Sequence, residues 1–462
     1  MTRAVLAAVI VTLLAGCTVG PRHRPPEVPL PANFDQASAE AAQHSAGSKL
    51  WAGFGSLELD ALLARALEAN TTIAQAAARF AETRALSGLS PYSWFPTVTA
   101  VGDQKMSQFS GQDPFSQPGA GRFETWRAGF DATWEIDLFG SLRSQNKAIR
   151  GRVEADAASL ADARLSIVAE TAQAWFSLIG ARERLALQRR QLANLEEGVA
   201  ILRARVDAGN STALDLARSE AQARSLAAFV PQAEADVVRQ EQRLAVLTAW
   251  PVAILRSQLA STTTIPELPE LVATGTPEQW LKRRPDIRSA ERQLAAATAD
   301  VGVEVAEYFP KLELLGGFGW TAQSRDAIGD RAAERWQYGP SLTWSFLNIG
   351  RVRQNVKAAE ARADGAVARY QETVLRALEE TENALAGFRA TNQAEDELRA
   401  AAAAAGEAAR LSRMRYDVGA SDYLTLLDAE RTMLDLEDQH VQAASRRATA
   451  LAALYKALAG DL

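Results

Sequence analysis

The chain is short of the residues on which most protein chemistry depends. It has one cysteine, Cys17, and three histidines, His23, His44 and His440, among 462 residues. One cysteine excludes intrachain disulfides, and histidines so far apart offer no metal-binding cluster. There is no CxxC array and no basic stripe, and a net charge of -6 opposes general nucleic-acid binding. No nucleophile, base and orienting residue converge in any motif, so neither an enzyme nor a cofactor site is expected. Beyond the extreme N-terminus no apolar run is long enough for a transmembrane helix. A membrane crossing would therefore have to use strands. Disorder throughout is excluded as well, because 47% of residues are apolar and only 23% charged.

What is present begins with MTRAVLAAVIVTLLAG, residues 1–16, in which Arg3 precedes a short apolar core and a small-residue end. That is the pattern of a secretory signal peptide. Cys17 follows, and the run LLAGC resembles the lipobox of bacterial lipoproteins, in which the cysteine becomes the acylated first residue. The alternative is an unmodified cysteine after an ordinary cleavage site. Residues 17–55 read as a lipidated tether, since TVGPRHRPPEVPLPANFD (18–35) holds five prolines and little periodicity.

The remainder is written twice, as repeats over 56–260 and 261–462. A helical tract at 61–88 gives way to strands expected at about 95–103 and 122–138, joined by a polar loop rich in Gly and Pro. In the second of these, Trp126, Ala128, Phe130, Ala132, Trp134, Ile136 and Leu138 share one face, with mostly polar residues on the other. The pattern returns with strands at about 310–320 and 335–346, where Trp336, Tyr338, Leu342, Trp344 and Phe346 share a face. Strands of this length with aromatics near their ends suit a tilted membrane span, and Trp134 and Trp344 fit its interface. A half-buried strand on a soluble core has the same period. WEIDLFG is echoed by WSFLNIG, so that Trp134 answers Trp344 and Gly140 answers Gly350, both 210 residues on.

Each hairpin is followed by 68 residues without proline, 141–208 and 351–418, enough for a helix of about 100 Å unless Gly180 or Gly387 breaks it. Helical hairpins are then expected to turn at Gly209 and Gly419, with Asn210 or Ser211, and Ser421 or Asp422, capping the returning helices. Pro231 marks a kink or a change of wall in the first return helix. Arg283, Arg284, Asp286 and Arg288, at a helix start, suggest a cap or ion-pair network before a phosphate site. Four strands cannot close a membrane barrel alone, so several chains must share one.

LLAGCTVGP, WEIDLFG, LKRRPDIRSAERQLAAATADVGVEVAEYFP (281–310) and RYDVGASDYLTLLDAER (415–431) together resemble the outer-membrane factor family. These are the trimeric efflux ducts of TolC-like and OprM-like type, and the match favours the NodT-type lipoprotein branch. The resemblance implies an α/β membrane protein with internal duplication. Three protomers, each giving four strands, would form a twelve-stranded outer-membrane β-barrel continued by a long periplasmic α-helical barrel. It implies a passive exit duct for small molecules, working with a periplasmic adaptor and an inner-membrane pump of the resistance-nodulation-division (RND) type. It implies a thioether-linked diacylglycerol and an N-acyl chain on Cys17. Leu424 and Asp428 fall on the positions that close the periplasmic iris, and Tyr416 on a tyrosine that tethers neighbouring helices. Thr425 and Ser421 depart from the TolC-like lock, where an aspartate and a basic residue stand. Leu424 and Asp428 are four apart, so three copies would stack an apolar ring on an anionic one. The competing functions are a periplasm-spanning lipoprotein scaffold without a conduit, and a duct for type I-like protein or peptide secretion.

Overall fold

The computed structural model describes residues 18–37, 51–108, 110, 122–259, 264–268 and 274–459. The signal peptide and Cys17 lie outside the described residues. In chain order the main elements are α1 (Leu57–Ala69), α2 (Thr71–Ser87), β1 (Thr97–Gln108), β2 (Arg122–Ile136), α3 (Ser141–Asp207), α4 (Ala213–Thr248), α5 (Val252–Gln258), α6 (Pro277–Arg283) and α7 (Pro285–Ala306). They continue with β3 (Lys311–Ala322), β4 (Glu334–Thr343), α8 (Ile349–Asp417) and α9 (Tyr423–Ala457). Two compact units result, and both draw on both sequence repeats. No described helix is long and apolar enough to cross a membrane.

The first unit holds residues 79–157 and 289–371 with the N-terminal stretch, and contains all four strands. They form one antiparallel sheet in the order β1-β2-β3-β4. The register sorts side chains by face. Ala100, Phe130, Phe318 and Trp336 stand opposite one another in one row, and Thr99, Asp131, Gly317 and Gln337 in the next. Phe130 (55%), Phe318 (45%), Trp336 (67%) and Tyr338 (82%) are exposed in a single protomer. A strand on a soluble core would cover these rings, whereas an open aromatic face of this extent calls for lipid or a partner. The polar face carries ion pairs instead, Arg127 with Asp103 and Arg335 with Asp131.

The strand ends differ from the alternation pattern for local reasons. β1 runs on to Gln108 because its polar end still pairs with β2, including Asp103 opposite Arg127. β2 stops at Ile136, and Asp137 turns to accept from the backbone N–H and the Nε of Arg143 in the first turn of α3. β4 stops at Thr343 because Ser345 leaves extended geometry (φ -85°, ψ 41°) to begin a 3-10 turn, so Trp344 and Phe346 lie beyond the strand. The Trp134 indole donates to the Trp94 carbonyl at 3.0 Å and Trp344 to the Tyr308 carbonyl at 3.1 Å. The duplication thus extends to single hydrogen bonds, and both indoles tie the end of a second strand to the residues before the first.

The described residues of the second unit, which spans 28–78, 158–288 and 372–462, form helices and connecting segments without a strand. Its core gathers Trp51, Phe54, Trp175, Phe176 and Tyr455, with ring centroids 4.9–6.3 Å apart. α3 has 67 residues and α8 has 69, unbroken at Gly180 and Gly387. Gly180 sits where a Cβ would come within 2.4 Å of the Ser445 hydroxyl on α9, so close helix packing explains it. α4 also continues through Pro231. The proline-rich segment is extended but docked: Phe34 is buried with its ring edge-on to Trp280.

Candidate functional site

The turns that close α3 and α8 share one construction. Gly209 has φ +74° and Gly419 φ +72°, the left-handed region where a side chain is strained. In the first, Asn210 N–H donates to Arg205 O and Gly209 N–H to Val206 O. In the second, Ala420 N–H donates to Arg415 O and Gly419 N–H to Tyr416 O. These paired bonds satisfy the last carbonyls of each helix. Behind the turns, Arg203 pairs with Glu220 and Arg413 with Glu430, again 210 residues apart.

The caps use the same two residue types in opposite order. Thr212 caps α4 by accepting from Asp215 N–H (3.2 Å), and its hydroxyl donates to the Asp215 carboxylate (2.7 Å). Asp422 caps α9 by accepting from both the N–H and the hydroxyl of Thr425. Asp422 matches the sequence expectation; in the first repeat the cap is Thr212, and neither Asn210 nor Ser211. Those two residues belong to the Gly209 turn, where Asn210 N–H is already committed to Arg205. Thr425 therefore stands in the place of Asp215 and serves the cap.

The two turns touch. The Tyr416 ring lies edge-on to Tyr423 at 5.5 Å, with the Arg205 guanidinium over it at 5.6 Å. Tyr423 shares a hydrogen bond with Ser219, although burial pushes its phenol up overall. Hydrogen bonds from Thr425 hold the Asp422 carboxyl below the usual range, and Arg218 adds to this.

Leu424 is the second residue of α9 and is 49% exposed. Asp428 follows one turn later on the same face, exposed and without an ion pair among the described residues. In the first repeat their counterparts are Leu214, also exposed, and Arg218, which is half-buried. The structure thus keeps the leucine in both copies and reverses the charge in one. Arg218 was legible in the sequence only by carrying the 210-residue offset through to single positions.

The Arg284 group is an ion-pair network, as its spacing suggests. Arg284 is buried and forked onto Asp286 (3.0 and 2.7 Å), with further bonds to Glu380 (2.6 Å) and the Ala457 carbonyl (3.1 Å). Trp280 and Thr381 donate to that same carbonyl, fixing the end of α9. Burial raises the Glu380 carboxyl, but Arg284 and Lys456 outweigh it and leave it below the ordinary value. Burial, reinforced by Asp286, holds Asp162 above it.

An aromatic-faced sheet that one chain cannot close, with paired long helices in two copies, defines a protomer of a membrane channel. Residues 62–249 and 276–460 match the family described as outer membrane efflux protein. The chain is 31% identical to outer membrane protein OprJ of Pseudomonas aeruginosa, over 99% of this chain and 95% of that one. It is 30% identical to the pyoverdine export outer membrane protein OpmQ of the same species, over 97% and 94%. The solved structure of the outer-membrane channel OprN superposes with a TM-score of 0.87 at 34% identity, covering 96% of this chain and 99% of that one. The chain belongs to the outer membrane efflux protein family. It is a non-catalytic channel protein of the outer membrane extending into the periplasm, and the trimer is its working form.

Proposed function

We propose that the trimer is the passive exit duct for small molecules in a tripartite system, coupled through a periplasmic adaptor to an RND-type inner-membrane pump. Leu424 and Asp428 close it at rest. The observation that carries the gate is the exposed pair at the start of α9: three copies would present a leucine ring and, one turn away, a carboxylate ring. Three carboxylates drawn together repel, so closure must be held by other contacts, and Tyr416 against Tyr423 and Arg205 is the candidate. Gly209 and Gly419 form the turns an adaptor would grip. The relative OpmQ is named for export of pyoverdine, which supports a small-molecule cargo over a protein one.

We also propose that Cys17 carries the lipid anchor. Val19 N–H donates to the Phe139 carbonyl at 3.1 Å, which supports this reading because it ties the residues after Cys17 to the end of β2, at membrane level.

The test is deletion of the gene with measurement of toxic-compound sensitivity and dye accumulation, followed by complementation. Sensitivity restored by the full chain supports the duct. Unchanged sensitivity alongside altered envelope spacing would favour a scaffold. Intact mass of the mature N-terminus decides the anchor, since a triacylated Cys17 is expected.

A further inference from the structure

In the first unit, the stretch from Thr18 to His23 crosses α3 and α7 and leaves a cavity of about 570 Å³ beneath and beside it, a volume typical of small-ligand sites. The crossing is tight. A Cβ on Gly20 would come within 2.6 Å of the Gly302 Cα, and one on Gly302 within 2.8 Å of the Ser144 hydroxyl. The strap is therefore held in place, and His23 Nε2 bonds Glu291 Oε1 at 2.6 Å.

The charges lining the cavity are unbalanced. Arg22, Lys147, Arg150 and Arg292 face a single carboxylate, Glu154. Arg292 is spent on Glu154 and Glu291. Arg22, Lys147 and Arg150 are exposed, and none has an ion pair among the described residues. The buried His23 Nδ1 also has no hydrogen-bond partner.

The position is informative. Lys147 and Arg150 lie in the first turns of α3, about 9 and 14 Å along the helix from Ser141, which follows the end of β2 after four residues. That is the depth at which long cationic side chains reach the headgroups of a bilayer whose core the strands cross. We infer that this cavity binds the phosphate of a phospholipid headgroup, with Arg22, Lys147 and Arg150 as its cationic partners. The inference rests on the membrane span alone and stands with or without acylation of Cys17.

The test uses the full-length trimer, delipidated in an uncharged detergent and titrated under native mass spectrometry. The probes are phosphatidylglycerol, phosphatidylethanolamine, diacylglycerol and inorganic phosphate. Wild type should retain both phospholipids, with roughly tenfold weaker retention in K147E/R150E. Neither diacylglycerol nor inorganic phosphate should be retained comparably. R22Q, which alters no helix, should show a smaller loss in the same direction and replaces the double variant if that fails to assemble. Equal retention by variant and wild type, or diacylglycerol binding as well as phospholipid, would overturn the site. Inorganic phosphate binding as tightly as the lipids would make it a free-phosphate site and overturn the lipid assignment.

Discussion

The Gly209 and Gly419 turns have the same backbone, the same closing hydrogen bonds and the same Arg–Glu pair behind them, yet they present different chemistry to their surroundings. In the first, Arg218 is half-buried and its charge acts on the Asp422 cap of the neighbouring turn. In the second, Asp428 occupies the equivalent place and stays exposed. At this one place the first copy thus carries a half-buried cation and the second an exposed carboxylate. Architecture was retained where helix ends need closing, and changed where a side chain has no structural debt.

Perturbations should separate what the turns share from what they do not. The largest effect on local stability is expected from Gly209→Val and Gly419→Val, each costing about 2 kcal/mol because a β-branched residue is forced into the left-handed region. Hydrogen exchange should show equal fraying at both turns, and a lasting difference would break the equivalence. Next comes the first cap: Thr212→Ala should cost about 1 kcal/mol, seen as faster exchange at Asp215 N–H with none at Thr425 N–H. The Arg–Glu pairs should matter less and unequally. Glu430 is 13% exposed against 42% for Glu220, so Arg413→Ala should cost up to about 1 kcal/mol and Arg203→Ala only a few tenths.

The smallest effect distinguishes the caps by pH. The Asp422 carboxyl is held below the ordinary carboxylate value, so its contribution is complete above that value and is lost as pH falls through the lower, folded one. Threonine does not titrate in this range. Acidification through and below the ordinary carboxylate range should therefore speed exchange at Thr425 N–H, after correction for intrinsic rates, more than at Asp215 N–H. Asp422→Thr should remove the difference.

Much of this was legible in the sequence because periodicity and repetition survive folding. The aromatic alternation through Trp126, Phe130 and Trp134 specified both the strand and its apolar face, and the 210-residue offset specified paired helices ending at Gly209 and Gly419. What was not legible depended on distant or competing partners. Thr212 capped in place of Asn210 because the turn had already claimed the asparagine backbone. Trp344 and Phe346 kept the alternation of a strand after Ser345 had left extended geometry. The docking of Phe34 against Trp280 left no periodic trace in a proline-rich segment, since an extended chain has no repeating face to read.

We propose that the Leu424 and Asp428 pair of the second turn, and not its counterpart in the first, gates the channel, and single-channel conductance of the purified trimer in planar bilayers tests this most directly. Asp428→Ala should raise resting conductance several-fold, while Arg218→Ala, at the equivalent place in the first repeat, should leave it near wild type. Unchanged conductance in Asp428→Ala, or an equal rise in both variants, would contradict the account.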